Sequence, residues 1–369
     1  MVKSRIGIDV GSTAVRVAEV AAGDVPVVVR AAQVPLAPGV VEAGEVREPE
    51  AVAEALREVW SKSGVKTKQA YLGVGNQRVI VREVALPWLP EEQLRDTLAF
   101  QVQEFIPMAT DDAVLDFDPL GELDQGGRRM QRILLVAADK GMINALVEAA
   151  LAAKLDPVGI DLTPFAVIRA VGTGDEGLDL GGFGDEAIID IGAQVTSICV
   201  HDRGVTRFVR MLPSGGRDIT LALASGLGID EDLAERLKRG ERIEPAQMPA
   251  PPPLRPAAPS NGNLPDPAGV RTLALARAGS FVDEVRSSLE FYAAQMPNAQ
   301  IGRVLVVGGG SRLVGLLELL QERLPVPVDR GRLFERAKSE LDLSAEAAAE
   351  AEAVLSVAVG LAIPTRRPS

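Results

Sequence analysis

Ile6-Gly7-Ile8-Asp9-Val10-Gly11-Ser12-Thr13-Ala14-Val15-Arg16-Val17-Ala18-Glu19-Val20 reads as strand, tight turn, strand. Apolar residues run up to Asp9, the chain folds back through Gly11, Ser12 and Thr13, and apolar residues resume at Val15. Such a turn gathers several backbone N–H groups and two hydroxyls in one concavity, which suits phosphate oxygens. Asp9, at the strand end, is placed to hold a hydrated Mg²⁺, an ion that keeps several waters and takes few carboxylates. Arg16 on the returning strand supplies charge to neutralise phosphates. A plain hairpin would show the same pattern, so the rest of the chain has to decide.

The pattern recurs. Ile189-Asp190-Ile191-Gly192 echoes Ile8-Asp9-Val10-Gly11, and Val195 to His201 forms the returning strand. Asp190, Gly192, Gln194 and Thr196 offer the same parts, so two related halves would face each other and clamp a polyphosphate. A third glycine turn, Gly308-Gly309-Gly310-Ser311, follows the strand Val304 to Val307 and opens a helix expected over 313–324. Bare glycines let a flat ring or a sugar approach the backbone. This turn is not a dinucleotide fingerprint, because Leu313 stands where the third glycine should fall. Gly73-x-Gly75 fails likewise at Arg78, and the chain has no G-x-x-x-x-G-K-[ST].

The 369 residues carry 39 basic and 51 acidic side chains, a formal net charge of -12, which argues against a chain built to coat nucleic acid or anionic lipid. That length predicts two or three compact units. The single cysteine, Cys199, excludes an internal disulfide, and no Cys/His cluster has zinc spacing; a reducing cytosol and no structural zinc are expected. Met1 to Arg5 runs into the first strand without a signal-peptide core, and no apolar stretch reaches membrane-spanning length, so a soluble intracellular protein is expected. Apolar content of 47% with only 4% aromatics points to an Ala, Val, Leu and Ile core, which suits α/β layers.

Outward from the first hairpin, Val52, Leu56, Val59 and Trp60 mark a helix over 49–62 that stops at Gly64. Strands at 70–74 and 79–86, a helix from Glu91 that ends before Pro107, strands at 114–117 and 133–137, and a helix over 141–154 read as an inserted subdomain, 65–156. A strand at 157–162 and a helix at 164–171 lead into a Gly- and Asp-rich hinge, 172–185. Residues 247–269 hold eight prolines and read as a loop, either a PxxP-type ligand or a tolerated surface insertion. A long helix over 270–296 and an Ala-rich helix over 344–362 complete the pattern. His201 is expected at a hairpin tip and Cys199 in the core; Trp88 reads either as a partner anchor or as local packing.

The ordered set of three glycine turns resembles the actin/Hsp70-type ATPase superfamily. Within it the chain resembles the PilM family of type IV pilus assembly proteins, relatives of FtsA. The opening motif, Glu104-Phe105-Ile106-Pro107-Met108, Asp161-Leu162-Thr163-Pro164-Phe165-Ala166 and Phe291-Tyr292 carry the likeness, which spans nearly all of the chain apart from the proline-rich segment. It implies an α/β, actin-like (ribonuclease H-like) two-lobed fold with an inserted α+β subdomain in the first lobe. The first lobe would take 1–64, 157–175 and 344–369, the insert 65–156, and the second lobe 176–343 with its insertion at 247–269.

The resemblance implies ATP and Mg²⁺ as cofactors. Asp9 and Asp190 would organise the metal through water; Gly11, Ser12, Thr13, Gly192 and Thr196 would line the phosphates, with Arg16 and Gln194 beside them. Gly308, Gly309, Gly310 and Ser311 would meet the adenosine. Ala234-Glu235-Arg236-Leu237-Lys238 resembles the Ala-Glu-x-x-Lys stretch that holds ribose and purine in bacterial actin relatives, which adds Glu235 and Lys238; a helix-surface i,i+3 salt bridge would place the same two residues together. Arg16 departs from the usual lysine. Arg169 falls where actin has the glutamine that orients the attacking water, which implies slow or absent hydrolysis. The implied partner is the N-terminal cytoplasmic tail of a PilN-like bitopic inner-membrane protein, held between the first subdomain and the insert with the helix at 90–106 in the wall. Pilus assembly ATPases are further partners the resemblance allows; nucleic acid and direct membrane insertion are not expected. The protein would work in the cytoplasm, recruited to the inner face of the cytoplasmic membrane by its partner. Two alternatives stay open. An FtsA-like tether would want a C-terminal amphipathic helix where this chain reads Thr365-Arg366-Arg367-Pro368-Ser369, and a small-molecule kinase would want an acidic base near the γ-phosphate.

Overall fold

The computed structural model of the protein describes residues 4–173, 184–241, 267–296 and 299–365. Most of the expected hinge, nearly all of the proline-rich segment and the last four residues lie outside them.

The opening motif forms β1 (Ser4–Val10) and β2 (Ala14–Ala21), which continue into β3 (Val27–Pro35) as an antiparallel meander. A small hairpin, β4 (Val41–Glu42) and β5 (Glu45–Val46), leads to α1 (Pro49–Ser63), whose chain exit is the left-handed Gly64 at φ 69. β6 (Gln69–Val74) then runs parallel to β1. After an excursion through β7 (Val79–Pro87), α2 (Glu91–Gln101), β8 (Ala113–Gln125), β9 (Arg128–Asp139) and α3 (Lys140–Ala152), β10 (Asp156–Leu162) pairs with β6. α4 (Thr163–Val171) carries the chain to the second sheet.

There the same plan repeats. β11 (Asp185–Ile191), β12 (Thr196–Asp202) and β13 (Val205–Leu212) form the meander, followed by α5 (Gly216–Leu227), α6 (Glu231–Lys238) and α7 (Pro267–Gln295). β14 (Ile301–Val307) lies parallel to β11, and β15 (Val328–Arg330) follows it after α8 (Leu316–Arg323). The first sheet has the order β10-β6-β1-β2-β3, and the second β15-β14-β11-β12-β13. The echo between Asp9 and Asp190 is therefore a repeat of topology. α9 (Leu333–Arg336), β16 (Lys338–Ser339, added to β3), α10 (Ala345–Val354) and α11 (Ser356–Ala362) bring the chain back to the first lobe. This is the two-lobed α/β arrangement with a repeated sheet that the sequence leads one to expect.

Side-chain size sorts the layers. Ile6, Ile8, Val15 and Val17 face α1 and α3 in one core, while the second sheet packs its own helices around Ile189, Ile198 and Val306. Between the sheets, α4 and α11 share a third core with Ala18, Val28, Ile188, Cys199 and Leu305. Close approach there needs glycine: a Cβ on Gly7 would collide with Ala358 O, and one on Gly360 with Ala166 O.

Several expectations are redrawn. A separate three-stranded sheet, β7-β9-β8, with α2 packed over Val84, Leu86, Ile133 and Leu135, spans only 79–139 of the expected insert 65–156. β6 and α3 belong to the first sheet and its core. The chain rejoins the first sheet at β16, before residue 344. The Ala-rich helix breaks at Leu355 into α10 and α11, and the helix after the glycine turn begins only at Leu316, behind Gly315 at φ 91. His201 is not at a tip: the tip is Arg203-Gly204, and His201 is fully buried, bonded to Glu186 at 3.1 Å. Cys199 is in the core, where burial pushes its thiol up. Trp88 packs locally, its ring 3.9 Å from the Arg129 guanidinium and its N–H donating to Glu122 at 2.9 Å.

Candidate functional site

Between the two lobes lies a cleft of ≈ 850 Å³, within the size range of small-molecule sites. Both hairpins reach it by the same local geometry. Gly11 N–H bonds Ala14 O at 3.1 Å and Gly192 N–H bonds Val195 O at 3.0 Å, so each strand end turns sharply beneath its aspartate. Asp9, Gly11, Ser12, Thr13 and Arg16 line one wall, and Asp190, Gly192 and Gln194 the other. Gly308, Gly309 and Gly310 close the floor; Gly308 sits at φ 85 against Asp190 and Ile191, a conformation and a fit that favour glycine.

Thirteen of the fifteen expected site residues border this one space; Thr196 and Ser311 do not. Thr196 is fully buried and donates to Ser214 O at 2.8 Å, tying the second hairpin to the loop before α5. Ser311 donates to Gly308 O at 2.7 Å and so closes the glycine turn from inside. Gln194 borders the cleft, but its Oε1 accepts the Ala43 N–H at 2.7 Å, from the tip of the β4–β5 hairpin in the other lobe. Ala43 holds φ 47, a left-handed backbone rare for a residue with a Cβ.

The two carboxylates differ. Asp9 bonds the Arg16 guanidinium at 3.0 Å; burial raises its carboxyl above the ordinary value, with Arg16 opposing. Among the described residues Asp190 has no such partner. Burial, and then the charge of Asp9, push it up to about 7 despite Arg16 nearby. A buried carboxylate short of positive charge, as Asp190 is, suits a hydrated divalent cation. Among the described residues no group of three acidic, His or Cys side chains could hold a metal; the two strand-end carboxylates here are Asp190 and the Arg16-bound Asp9. Bound there, Mg²⁺ would neutralise phosphate charge.

Glu235 and Lys238 are more than an exposed helix pair. Lys238 Nζ lies 2.6 Å from Glu235, 2.7 Å from Thr220 Oγ1 and 2.8 Å from Gly216 O, bracing α6 against the start of α5. Burial pushes Lys238 down, against the pull of Glu235; burial pushes Glu235 up, but Lys238, Thr220 and Arg239 outweigh it and hold its carboxyl below the usual range. The pair offers a fixed carboxylate and ammonium at the rim.

Arg169 is not in the cleft. Its guanidinium pairs with Asp161 and donates to Gly360 O at 3.0 Å, between β10 and α11. The residue of α4 that reaches the cleft is Thr163, for which Gly73 and Gly75 clear the space: a Cβ on Gly75 would collide with Thr163 Oγ1. The sequence reading also missed Ser197, which lines the cleft opposite Asp190. A signal was present: Asp190 and Ser197 are seven residues apart, as Asp9 and Arg16 are.

Comparison with known proteins agrees with this geometry. The family model described as type IV pilus assembly protein PilM matches residues 7–247, and that of cell division protein FtsA matches 187–354. A solved PilM-PilN type IV pilus biogenesis complex matches with a TM-score of 0.79 at 25% identity, covering 98% of each chain. Ethanolamine utilization protein EutJ from Carboxydothermus hydrogenoformans (TM-score 0.54, 16% identity, 98% of this chain and 89% of that one) shares the fold. So does MreB5 of Spiroplasma citri bound to ADP (0.51, 14%, 97% and 94%). Two glycine hairpins on a repeated sheet, a third glycine turn and a family model matching more than half of the sequence converge: the chain belongs to the PilM family of type IV pilus assembly proteins.

Proposed function

We propose that this protein is a nucleotide-loaded scaffold of the type IV pilus assembly platform. It binds ATP with Mg²⁺ in the cleft and the N-terminal cytoplasmic tail of a PilN-like bitopic inner-membrane protein beside the insert. The observation that carries the nucleotide half is the meeting of both hairpins, the glycine turn and the Glu235–Lys238 pair around one cleft. The partner half is supported by the likeness to a PilM-PilN complex over 98% of this chain. α2 offers a surface for such a peptide, since Phe100 is 78% exposed and stands clear of the insert's core. Among the described residues no helix is long and apolar enough to cross a membrane, so membrane recruitment would run through the partner.

Hydrolysis would be slow, for a different reason than Arg169. The cleft-facing residue of α4 is Thr163, whose neutral hydroxyl can orient a water but takes no proton from it near pH 7. Asp9 is held by Arg16, and Asp190 would be engaged by the metal shell.

The insert provides the test. Val79 and Ala138 are paired neighbours at its base, so 80–137 can be replaced by a short turn that keeps both strand ends beside β6 and α3. In fluorescence anisotropy with a labelled PilN-like tail peptide, this variant should lose the peptide and keep ATP. Retained peptide affinity would show that the tail binds elsewhere, and an intact protein that fails to bind ATP would overturn the nucleotide half. Turnover of ATP at ordinary enzyme rates would refute slow hydrolysis.

A further inference from the structure

The repeat lets the two hairpins be compared residue for residue. In the first, Asp9 lies opposite Arg16; in the second, Asp190 lies opposite Ser197. Opposite residues of an antiparallel pair project from the same face, so each aspartate has its cross-strand neighbour beside it in the cleft. Arg16 is long enough to close the gap, at 3.0 Å. Ser197 is not, and its Oγ has no hydrogen-bond partner although the residue is only 5% exposed. Among the described residues, three buried side-chain polar atoms lack a partner: Ser197 Oγ, Arg16 Nε and Arg286 Nε. Two of the three belong to residues lining this cleft. Buried polar groups are normally paired, so this concentration marks where a ligand completes the site.

We propose that the two hairpins divide a metal–nucleotide complex between them. The first is the anion side: Arg16 keeps Asp9 with one nitrogen and directs Nε to a phosphate oxygen. The second is the cation side: Asp190 and Ser197 Oγ together hold waters of the divalent ion, and Ser197 is a positioning residue for that shell. The asymmetry follows from charge. A guanidinium beside Asp9 repels a dication, whereas the hydroxyl beside Asp190 does not, and it can both donate to and accept from a coordinated water. Thr196, one residue earlier, is turned to Ser214 O and has no part in this. The inference rests on the cleft being an ATP site.

The test is equilibrium binding of a fluorescently labelled ATP to the full chain, in Mg²⁺ and in EDTA, with Mn²⁺ paramagnetic resonance in the presence of ADP as a second readout. Ser197→Ala should lose about tenfold in affinity with Mg²⁺, the worth of one hydrogen bond to a charged assembly, and change little in EDTA. Its bound Mn²⁺ signal should broaden or vanish, and Ser197→Thr should restore both. Arg16→Ala should lose affinity in both conditions. Because the Ser197 hydroxyl has no partner among the described residues, Ser197→Ala should melt no lower than wild type without ligand, which separates a binding defect from misfolding. Equal losses with and without Mg²⁺, or an unchanged Mg²⁺ dependence, would overturn the division while leaving ATP binding intact. A wild-type protein that binds ATP in neither condition would overturn the ATP reading itself.

Discussion

Asp190→Asn should make the ligand-free protein more stable at neutral pH. The Asp190 carboxyl is raised from 3.8 to about 7, first by burial and then by the facing charge of Asp9. The folded state therefore holds this proton more tightly than the unfolded chain does. Linkage then makes stability fall as pH rises from about 4 to about 7; below that window both states are protonated, and above it the whole penalty applies. A shift of that size is worth at most about 4 kcal/mol. The cleft admits water and the Arg16 charge lies nearby, so a penalty of about 1–2 kcal/mol is expected in solution. Asparagine keeps the shape and removes the charge. Urea denaturation in EDTA should show the variant equal to wild type at pH 4 and about 1–2 kcal/mol more stable at pH 8. With ATP and Mg²⁺ the order should reverse, because only the carboxylate gains from the cation. A variant no more stable than wild type at pH 8 in EDTA would show that the buried Asp190 charge carries no penalty, and the argument for a cation beside it would fail.

Arg169→Ala should cost about 3 kcal/mol, since it strands Asp161 and the Gly360 carbonyl beside α11, yet leave the nucleotide affinity of the folded fraction unchanged. A large affinity loss in that fraction, read by calorimetry, would return Arg169 to the phosphates. Gly360→Ala should cost about 3 kcal/mol or more in chemical denaturation, because the added carbon meets the Ala166 backbone and the two helices cannot separate without opening both sheets. A loss under about 1 kcal/mol would mean the contact is soft. Gln194→Ala removes one partly exposed hydrogen bond across the cleft mouth, worth about 1 kcal/mol, so stopped-flow displacement should show nucleotide leaving roughly fivefold faster. An unchanged off-rate would show that the Ala43 contact does not gate the cleft.

The hairpins were legible in the sequence because their causes are local. An apolar run, an aspartate and a glycine turn are complete within eight residues, and their repetition announced the second lobe. The insert's limits were not legible, because nothing within Gln69–Val74 says that it pairs in parallel with β1 and not with Val79–Pro87; that is settled by Gly7 and Ile8 finding Tyr71 and Leu72. Arg169 was misplaced for a similar reason. A helix position fixes direction only once its neighbours are known, and Asp161 claims the guanidinium. The choice of Thr196 over Ser197 was a matter of alternation: one step along a strand exchanges the faces, so the cleft hydroxyl is the one in register with Asp190.

The same contacts bear on how a nucleotide could speak to a partner. The floor of the cleft offers little freedom, since α4 and α11 are wedged between the sheets by glycine contacts and a shared core. Freedom lies at the rim. There the β4–β5 hairpin is tied to the second lobe through the Ala43–Gln194 hydrogen bond, while its other side is fixed to the base of the insert. Asn76 donates to Gly44 O at 3.2 Å, and Arg78 pairs with Glu45 at 2.9 Å and with Asp139 at 3.5 Å. A ligand that moved Gln194 would thus pull on a hairpin anchored at the end of the three-stranded sheet where the chain enters and leaves it, since Arg78 precedes β7 and Asp139 ends β9. A chain of contacts becomes a coupling only when both sites bias the same element. Peptide affinity with and without ATP, measured in wild type and in Gln194→Ala, decides that: an ATP effect that survives the substitution would have to travel through the rigid floor, where the packing leaves it no two-state element.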